Sequence, residues 1–305
     1  MHATFQQMRL FEAVARLGTV TRAAEEAHLT QPAVSIQVKR LEEHAGMALF
    51  DHVGRRLLLT AAGHELLAAS RNILSQMTDL DDALETLRGE VAGPVRISAV
   101  TTAQYFLPHL LGEFVRRYPG VQPSMTVTNR DSMISRIETY QDDLYIMGQV
   151  PDRIEVNSVP FLENKIVVVA HPGHPMVGAG PVTLEALVAD RMLVREPGSG
   201  TRQAVERLLA DQGLTAKPYM ELGSSESLIQ GVIAGLGVAV LSRHSINLEL
   251  ALERLSIIDC QAFPMYRPWY AVHPANRRLP LAVRTFLEFL EHEGAGIVGG
   301  MTDQD

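Results

Sequence analysis

The sequence predicts an α/β protein in which a small helical region, one long helix and a larger α/β region follow one another. In the first sixty residues, apolar side chains recur at helical spacing. No proline interrupts the stretch from Thr60 to about Gly89, and after Pro94 buried strands and helices alternate until about His292. The predicted regions are residues 1–60, 61–90 and 91–293, followed by a glycine-rich tail, residues 294–305, that we expect to be disordered.

The composition of the 305 residues is that of a globular protein with a substantial core, since 46% are hydrophobic and 20% are charged. No apolar run reaches the roughly 18 residues that a membrane helix needs, and the N-terminus has no signal-sequence pattern. Cys260 is the only cysteine, which excludes an intramolecular disulfide and is typical of a reducing compartment. We therefore expect a cytoplasmic protein that does not contact membranes.

Three short helices are predicted in residues 1–60. The first ends at Gly18, the second begins near Thr21, and Thr30 is the predicted N-cap of the third, which has Pro32 in its first turn. The apolar faces consist of Met8, Phe11, Val14 and Leu17; Ala23, Ala24 and Ala27; and Val34, Val38, Leu41 and Ala45.

The outward face of the third helix exposes Ile36 between Ser35 and Lys39. Two helices joined by a tight turn, the second displaying small, polar and basic groups, form a helix-turn-helix that can enter the major groove of DNA. The segment "ALFDHVGRRLLLT" predicts a hairpin with a basic tip, which is suited to the phosphate backbone or the minor groove. The predicted DNA-contacting residues are Thr21, Arg22, Thr30, Gln31, Pro32, Ala33, Ser35, Ile36, Gln37, Lys39, Arg40, Arg55 and Arg56.

Charge permits this interpretation without requiring it. The net charge of the whole chain is −8, but residues 1–60 contain seven Lys/Arg and six Asp/Glu, a net charge of +1. From the pattern alone, a helical cap with solvated charges remains the alternative. The stretch "TRAAEEAHLTQPAVSIQVKRLEEHAGMALFDHVGRRLLLTAAG" resembles the winged helix-turn-helix of the LysR-type transcriptional regulators. The family carries its DNA-contacting motif on the positions that match Val20 to Lys39, so the resemblance implies DNA binding.

The long helix carries a heptad pattern, because its apolar positions and one serine, Ser70, are spaced alternately by four and three residues. Thirty helical residues span roughly 45 Å. This favours a helix that pairs with its own copy over one that lies on its own domain, and two-fold pairing predicts an operator with inverted half-sites. The resemblance implies the same role. The predicted pairing residues are Leu66, Ile73, Met77, Leu80, Leu84 and Leu87, and residues 88–94 are the predicted hinge.

The alternating strands and helices after Pro94 predict two α/β lobes with mostly parallel sheets. Ligands of such sheets bind beyond the carboxyl ends of the strands. Four loops have this position, "TTAQ", "TNRDSM", "REPGSGTR" and "GSSES", and their hydroxyls, helix N-termini and arginines are suited to an anion. Taken singly, each Ser or Thr could be only a helix cap. The predicted effector-binding residues are Thr101, Thr102, Gln104, Asn129, Arg130, Glu196, Ser199, Thr201, Arg202 and Ser225.

The sequence gives little support for an enzymatic function. His171 and His174 are three residues apart but flanked by prolines, which disfavours a helix that would aim both at one metal. "GSG" at 198–200 is not a nucleophile elbow, and "AGLGVAV" runs from helix to strand, the reverse of a dinucleotide motif. We predict no catalytic residues, no metal and no cofactor.

The C-terminal region resembles the LysR-type effector domain, which is similar to periplasmic solute-binding proteins. The resemblance implies lobe I at about 91–161 and 267–293 and lobe II at about 162–266. The phrases "TNRDSM", "DLYIMGQVP", "LVREPGSGTR" and "HPANRRL" look most like regulators of operons that encode ribulose-bisphosphate carboxylase. This implies an anionic effector, such as a phosphorylated sugar or acid or a reduced nicotinamide nucleotide. Tyr145 departs from the small residue expected there, so it either narrows the cleft or packs outside it.

The sequence therefore predicts a ligand-responsive transcriptional regulator of a carbon-fixation operon. Its expected partners are double-stranded promoter DNA, the effector and further copies in a homodimer or homotetramer, with RNA polymerase as a further candidate. The alternatives are a regulator of amino-acid, sulfur or aromatic metabolism, or a pure small-molecule-binding protein.

Overall fold

The computed structural model describes residues 3–53, 56–86, 90–275 and 277–302. The chain divides into two compact units, Met1–Arg88 with Thr139–Gln141, and Gly89–Glu138 with Asp142–Asp305. Each unit has its own hydrophobic core, and the core of the second is distributed over several clusters.

The first unit consists, in its described part, of helices and one hairpin. Phe11, Val14 and Leu41 are fully buried in its core, so the predicted apolar faces do pack together. Thr4 and Gln7 form a capping box at the start of the first helix, and Gly18 ends this helix with φ 72°. The elements are α1 Phe5–Leu17, α2 Val20–Glu26, α3 Gln31–Ala45, β1 Phe50–Val53, β2 Arg56–Leu59 and α4 Ala61–Thr86.

Two threonines at helix starts of this unit, Thr30 and Thr60, differ in their hydrogen bonding. Thr30 occupies the N-cap position of α3 and Pro32 lies in the first turn, but the Thr30 side chain makes no capping hydrogen bond. Thr60 does cap α4, since its Oγ1 accepts from the Gly63 amide at 3.0 Å. A Cβ on Gly63 would lie 2.2 Å from the Leu49 carbonyl oxygen, so only glycine allows this close approach of α4 to the hairpin.

The second unit contains one nine-stranded sheet among its described residues, with the order β4-β3-β5-β11-β6-β9-β7-β8 and with β10 paired to β6. Short 3₁₀ helices follow β3 and β9, at Thr101–Tyr105 and Arg243–Ser245. The elements are β3 Gly93–Val100, α5 Leu107–Arg117, β4 Val121–Thr128, α6 Arg130–Glu138, β5 Leu144–Met147, β6 Val156–Ala170, α7 Leu184–Ala189, β7 Met192–Arg195, α8 Gly200–Asp211, β8 Met220–Leu222, α9 Ser225–Ile233, β9 Val238–Ser242, α10 Asn247–Ala251, β10 Ser256–Ile258, β11 Met265–Pro274 and α11 Leu281–Thr302.

The sheet confirms two lobes and also joins them. Strand pairs β3–β4 and β3–β5 are parallel in lobe I, and β7–β8 and β7–β9 are parallel in lobe II. The long strands β6 and β11 pair antiparallel along their length and run through both lobes. The first half of β6, from Val156, gives only a weak strand pattern in the sequence, because it is partly exposed and contains Asn, Ser and Pro, which have low strand propensity.

The prediction of a disordered tail at residues 294–305 is wrong for the described residues 294–302. These residues continue α11, which was predicted to end at His292 and ends at Thr302. Val298 is 2% exposed in the core of lobe I, and a Cβ on Gly294 would meet the Phe161 ring at 3.3 Å. The glycines therefore let this helix pack closely, and the burial of Val298 outweighs their low helix propensity.

Candidate DNA-contact surface and effector cavity

The predicted DNA-contacting face of α3 is open. Ile36 is 52% exposed although it is apolar, and Lys39 and Arg40 are exposed beside it. Gln37 is the exception, because its Oε1 accepts from Gln7 Nε2 at 3.3 Å and ties it to α1. The other predicted residues on α2, α3 and the turn between them are exposed, namely Thr21, Arg22, Thr30, Gln31 and Pro32, or half-buried, namely Ala33 and Ser35.

The hairpin is held to α3 by Glu42. Its Oε1 accepts from the Leu49 amide at 2.8 Å and from the Phe50 amide at 3.4 Å. Within the hairpin, Val53 is opposite Arg56 in the register. Arg55 lies outside the described residues. The carboxylate of Glu42 thus fixes the start of β1 relative to the helix that carries Ile36.

The heptad positions of α4 fall into two groups. Leu66 is half-buried and Ser70 is buried in the core of the first unit, where Arg71 also pairs with Glu12 at 3.1 Å. The later positions form an exposed apolar stripe, which we call the α4 stripe: Ile73 38%, Met77 39%, Leu80 53% and Leu84 51% exposed. Leu87 lies outside the described residues.

A cavity of about 540 Å³, including its open mouth, lies between the two lobes of the second unit. It brings together side chains from the ends of β3, β4 and β5, the start of α8 and the strands β6 and β11. Six of the predicted effector-binding residues line it: Thr101, Thr102, Asn129, Arg130, Ser199 and Thr201. The carboxyl ends of strands and a helix N-terminus converge here, as expected for a ligand site.

The cavity is strongly cationic. Arg130 and Arg267 line it, and Arg207 reaches it from α8 by donating to Gln149 Oε1 at 2.7 Å. Burial lowers the pKa of Arg267, and the positive charges of Arg207 and Arg130 lower it further. A Cβ on Gly200 would lie 3.6 Å from Arg130 Cδ, which places this arginine at the N-terminus of α8. Such a group of charges favours a bound anion.

Four predicted residues are not among those that line the cavity. Arg202 donates to Glu206 and Glu221 at 2.7 and 2.6 Å, and these carboxylates raise its pKa. Glu196 and Ser225 are both held by the buried Arg195, at 2.8 and 2.6 Å. The fourth, Gln104, lies in the 3₁₀ helix after β3. These positions were chosen from their place in the loops, which does not say which way each side chain points.

Sequence reasoning missed nine of the fifteen residues that line the cavity. Asn164, Arg267 and Trp269 lie inside the long strands β6 and β11, where a strand pattern gives no sign that one residue faces a ligand, and Gln149 lies just after β5. The available signal was the spacing of Arg267 and Trp269, which are two residues apart and therefore lie on one face of β11. The missed lining residues are Val100, Met147, Gly148, Gln149, Asn164, Ile166, Gly200, Arg267 and Trp269.

Hydrogen bonds cross from one lobe to the other around the cavity. The Arg130 amide donates to the Gly198 carbonyl at 3.2 Å, and Arg195 Nη1 donates to Thr101 Oγ1 at 3.2 Å. The bond between Arg207 and Gln149 is a third. The lobes are therefore in contact on more than one side of the site.

Tyr145 packs outside the cavity, which settles the two possibilities left by the sequence. Its side chain is fully buried, its hydroxyl donates to the Arg136 carbonyl at 2.9 Å, and it accepts from the Asp142 amide at 3.0 Å. Its role is therefore structural.

In the part of the chain that the structure describes, no helix is long and apolar enough to cross a membrane. Among the same residues, no cluster of His, Cys, Asp and Glu is arranged to hold a metal ion. His174 instead lies 3.5 Å from Asp190, and His171 accepts from the amide of Gly173.

Comparison with known proteins agrees with these observations. The RuBisCO operon transcriptional regulator of Allochromatium vinosum is 41% identical over 295 residues, 97% of this chain and 98% of that protein. The HTH-type transcriptional activator CmpR of Synechocystis is 40% identical over 289 residues, 95% of each chain.

Solved structures show the same architecture. The regulatory domain of CcmR from Synechocystis, in complex with 2-PG (2-phosphoglycolate), is 40% identical with a TM-score of 0.63, and the match covers 65% of this chain and 96% of that one. Full-length CbnR complexed with its target DNA shares the fold at 20% identity, with a TM-score of 0.66 and coverage of 96% and 100%. The model of the lysR-family bacterial regulatory helix-turn-helix protein matches residues 5–64, and that of the LysR substrate binding domain matches residues 88–295. The chain belongs to the LysR family of transcriptional regulators.

Proposed function

We propose that this LysR-type regulator controls a carbon-fixation operon and is switched by a small phosphorylated anion in the inter-lobe cavity. The observation that carries the effector class is the convergence of Arg130, Arg207 and Arg267 on one site. The operon class is supported by relatives named as RuBisCO operon regulators, and the ligand class by the 2-phosphoglycolate complex of the CcmR domain.

On the DNA side, α3 enters the major groove. Ala33 and Ile36 would contact thymine methyl groups, and Ser35 would reach base edges or phosphates. Lys39 and Arg40 would neutralise phosphates, which makes affinity depend on salt. The exposure of Ile36 supports this, because an apolar side chain gains by leaving water only when a partner covers it.

Two copies would pair through the α4 stripe and present two DNA-binding heads to inverted half-sites. On effector binding, closure of the lobes changes how the copies pack and hence the spacing or angle of the heads. The chain would act on DNA without catalysing a reaction. Because its operator lies in the bacterial cytoplasm, we place the protein there.

A DNA-binding titration tests the proposal. A labelled fragment from upstream of the gene is titrated with protein at two salt concentrations, with and without 2-phosphoglycolate. We expect affinity to fall steeply with salt, and 2-phosphoglycolate to change the affinity or the protected region.

Variants separate the two modules. Arg130→Gln and Thr201→Val should abolish the effector response and leave DNA affinity without effector within about twofold, because neither residue belongs to the DNA-binding unit. Arg254→Gln, an exposed arginine that does not line the cavity, is the matched control. Equal loss of DNA affinity and effector response in the cavity variants would reject the two-module account.

A further inference from the structure

Gln149 joins the two lobes at the effector cavity. It follows β5 in lobe I and lines the cavity, and its Oε1 accepts from Arg207 Nη2 of α8, in lobe II, at 2.7 Å. Arg207 is not itself among the lining residues. The Gln149 side chain therefore holds an arginine of the opposite lobe at the site.

The arginines that act on the cavity have no carboxylate partner. Among the described residues, Arg130, Arg207 and Arg267 form no ion pair. Arg195, which lies at the end of β7 near the same site, differs because Glu196 of its own lobe neutralises it at 2.8 Å. The three unpaired charges are therefore left for a ligand to compensate.

Glutamine at position 149 leaves the charge of Arg207 uncompensated. A carboxylate in its place would accept two guanidinium N–H groups and pair with the charge, as in a bidentate ion pair. The amide offers one acceptor oxygen and no charge. The positive charge of Arg207 therefore remains available to a bound anion, and it repels Arg267, whose pKa it lowers.

The contact between Gln149 and Arg207 is one that can open. Arg207 is exposed and Gln149 is half-buried, so water competes for the guanidinium N–H groups and the hydrogen bond contributes little net stability. Repulsion from Arg267 opposes the contact as well. A bound anion would offset this repulsion, so the contact between the lobes depends on the ligand.

The other two inter-lobe hydrogen bonds do not involve an unpaired charge. The Arg130 amide donates to the Gly198 carbonyl, which is a bond between backbone groups. Arg195 donates to Thr101 but is paired with Glu196. Of these three bonds, the one from α8 is therefore the bond that should respond to charge in the cavity.

We propose that Gln149 is a positioning residue of the effector switch. Through its neutral amide it places Arg207 at the cavity without neutralising it, so that a bound anion supplies the negative charge that holds the lobes together. A negative charge at position 149 then replaces the effector. The inference rests on the proposed function, because it assumes an anionic effector that acts by closing the lobes.

The variant Gln149→Glu tests this with almost the same side-chain shape. The full-length variant and the wild type are compared by footprinting on the labelled upstream fragment, with and without 2-phosphoglycolate, and calorimetry measures the binding of 2-phosphoglycolate. The double variant Gln149→Glu/Arg207→Gln shows whether the effect passes through Arg207. Gln261→Glu changes an exposed glutamine that does not line the cavity, so it adds the same charge and is the matched control.

We expect Gln149→Glu to give, without ligand, the protection pattern that the wild type gives only with 2-phosphoglycolate, because an ion pair with Arg207 closes the lobes. It should bind 2-phosphoglycolate roughly 10-fold more weakly, since one arginine charge is then already compensated. The double variant should lose the ligand-free effect, and Gln261→Glu should give the pattern and the affinity of the wild type.

Three results would overturn the inference while the wild type still responds to 2-phosphoglycolate and the proposed function stands. They are a ligand-free Gln149→Glu pattern equal to that of the ligand-free wild type, an effect that persists in the double variant, and the same effect in Gln261→Glu. If the wild type neither binds 2-phosphoglycolate nor changes its protection pattern, the effector class fails together with the inference, and operator binding still tests the regulator itself.

Discussion

The α4 stripe allows a quantitative prediction about assembly. In the single chain, Leu80 and Leu84 are 53% and 51% exposed and lie one turn apart on α4. We expect the double variant Leu80→Gln/Leu84→Gln to weaken dimerisation strongly. Glutamine has nearly the helix propensity of leucine, so the change removes apolar surface and leaves the helix itself intact.

The size of the effect follows from the exposed fraction. Full burial of a leucine side chain contributes roughly 1.5–3 kcal/mol, so burying the remaining half of each contributes about 0.75–1.5 kcal/mol. A symmetric dimer buries four such side chains, which gives about 3–6 kcal/mol. At about 1.4 kcal/mol per factor of ten, the dimer dissociation constant should rise roughly 10²- to 10⁴-fold.

Sedimentation velocity over a range of protein concentrations measures this shift, and circular dichroism checks helicity. The matched control is Leu248→Gln/Leu252→Gln, since these leucines are also four residues apart and are 65% and 59% exposed, at α10 and its C-cap. Association of the Leu80/Leu84 variant at the wild-type concentration would refute the reasoning. Dissociation of the control to the same extent would also refute it, because the effect would then not be specific to the stripe.

Four further variants test single residues. Ile36→Ala should change sequence preference among operator variants more than the salt dependence, whereas Lys39→Ala should reduce the slope of log affinity against log salt by about one, both measured by fluorescence anisotropy. Arg195→Met should lower the unfolding free energy by about 3–5 kcal/mol in urea, because it leaves Glu196 without its cation. Burial lowers the pKa of His244 below its ordinary value of 6.5. The folded state therefore favours the neutral imidazole, and the stability that this contributes above pH 6.5 is lost as the pH falls below 6.5. The unfolding free energy of His244→Gln should therefore fall less than that of the wild type between about pH 7.5 and about pH 5.5.

The first unit follows closely from the sequence because its signals are local. Gly18 ends α1, the buried Val34, Val38 and Leu41 share one face of α3, and Thr60 caps α4. Each of these features depends on residues within a few positions of one another.

The errors arise where contacts are distant in sequence. The tail after His292 looks disordered from its glycines, yet Gly294 packs against Phe161, more than a hundred residues earlier. In the same way, Arg267 and Trp269 line the cavity because β11 pairs with β6 and crosses both lobes. Local patterns predict the elements, but they do not say which neighbours the tertiary fold will bring to them.

The predictions for the effector site show the same difference between local patterns and tertiary contacts. Thr101, Asn129 and Ser199 line the inter-lobe cavity because loops at the ends of parallel strands meet at one edge of a sheet. Arg202 was expected at the site and is instead paired with two carboxylates, since its position in α8 turns it toward Glu221. The topology of the sheet thus sets the general location of a site. Which side chains enter the site depends on the direction in which each residue points from its helix or strand.

The charges of the cavity give a physical reason why a bound ligand can act as a switch. Arg130 belongs to lobe I, Arg207 to lobe II, and Arg267 to a strand that both lobes share. Bringing the lobes together therefore brings like charges together, and this repulsion opposes closure when the cavity is empty. A bound anion would offset this repulsion, because it is attracted to all three guanidinium groups and most strongly when they are close together. For the proposed anionic effector, this mechanism requires higher affinity for the closed arrangement, which is the difference that any ligand-driven change of conformation needs. A neutral molecule of the same shape would leave the repulsion in place, so on this mechanism charge, more than shape, determines which metabolites switch the regulator.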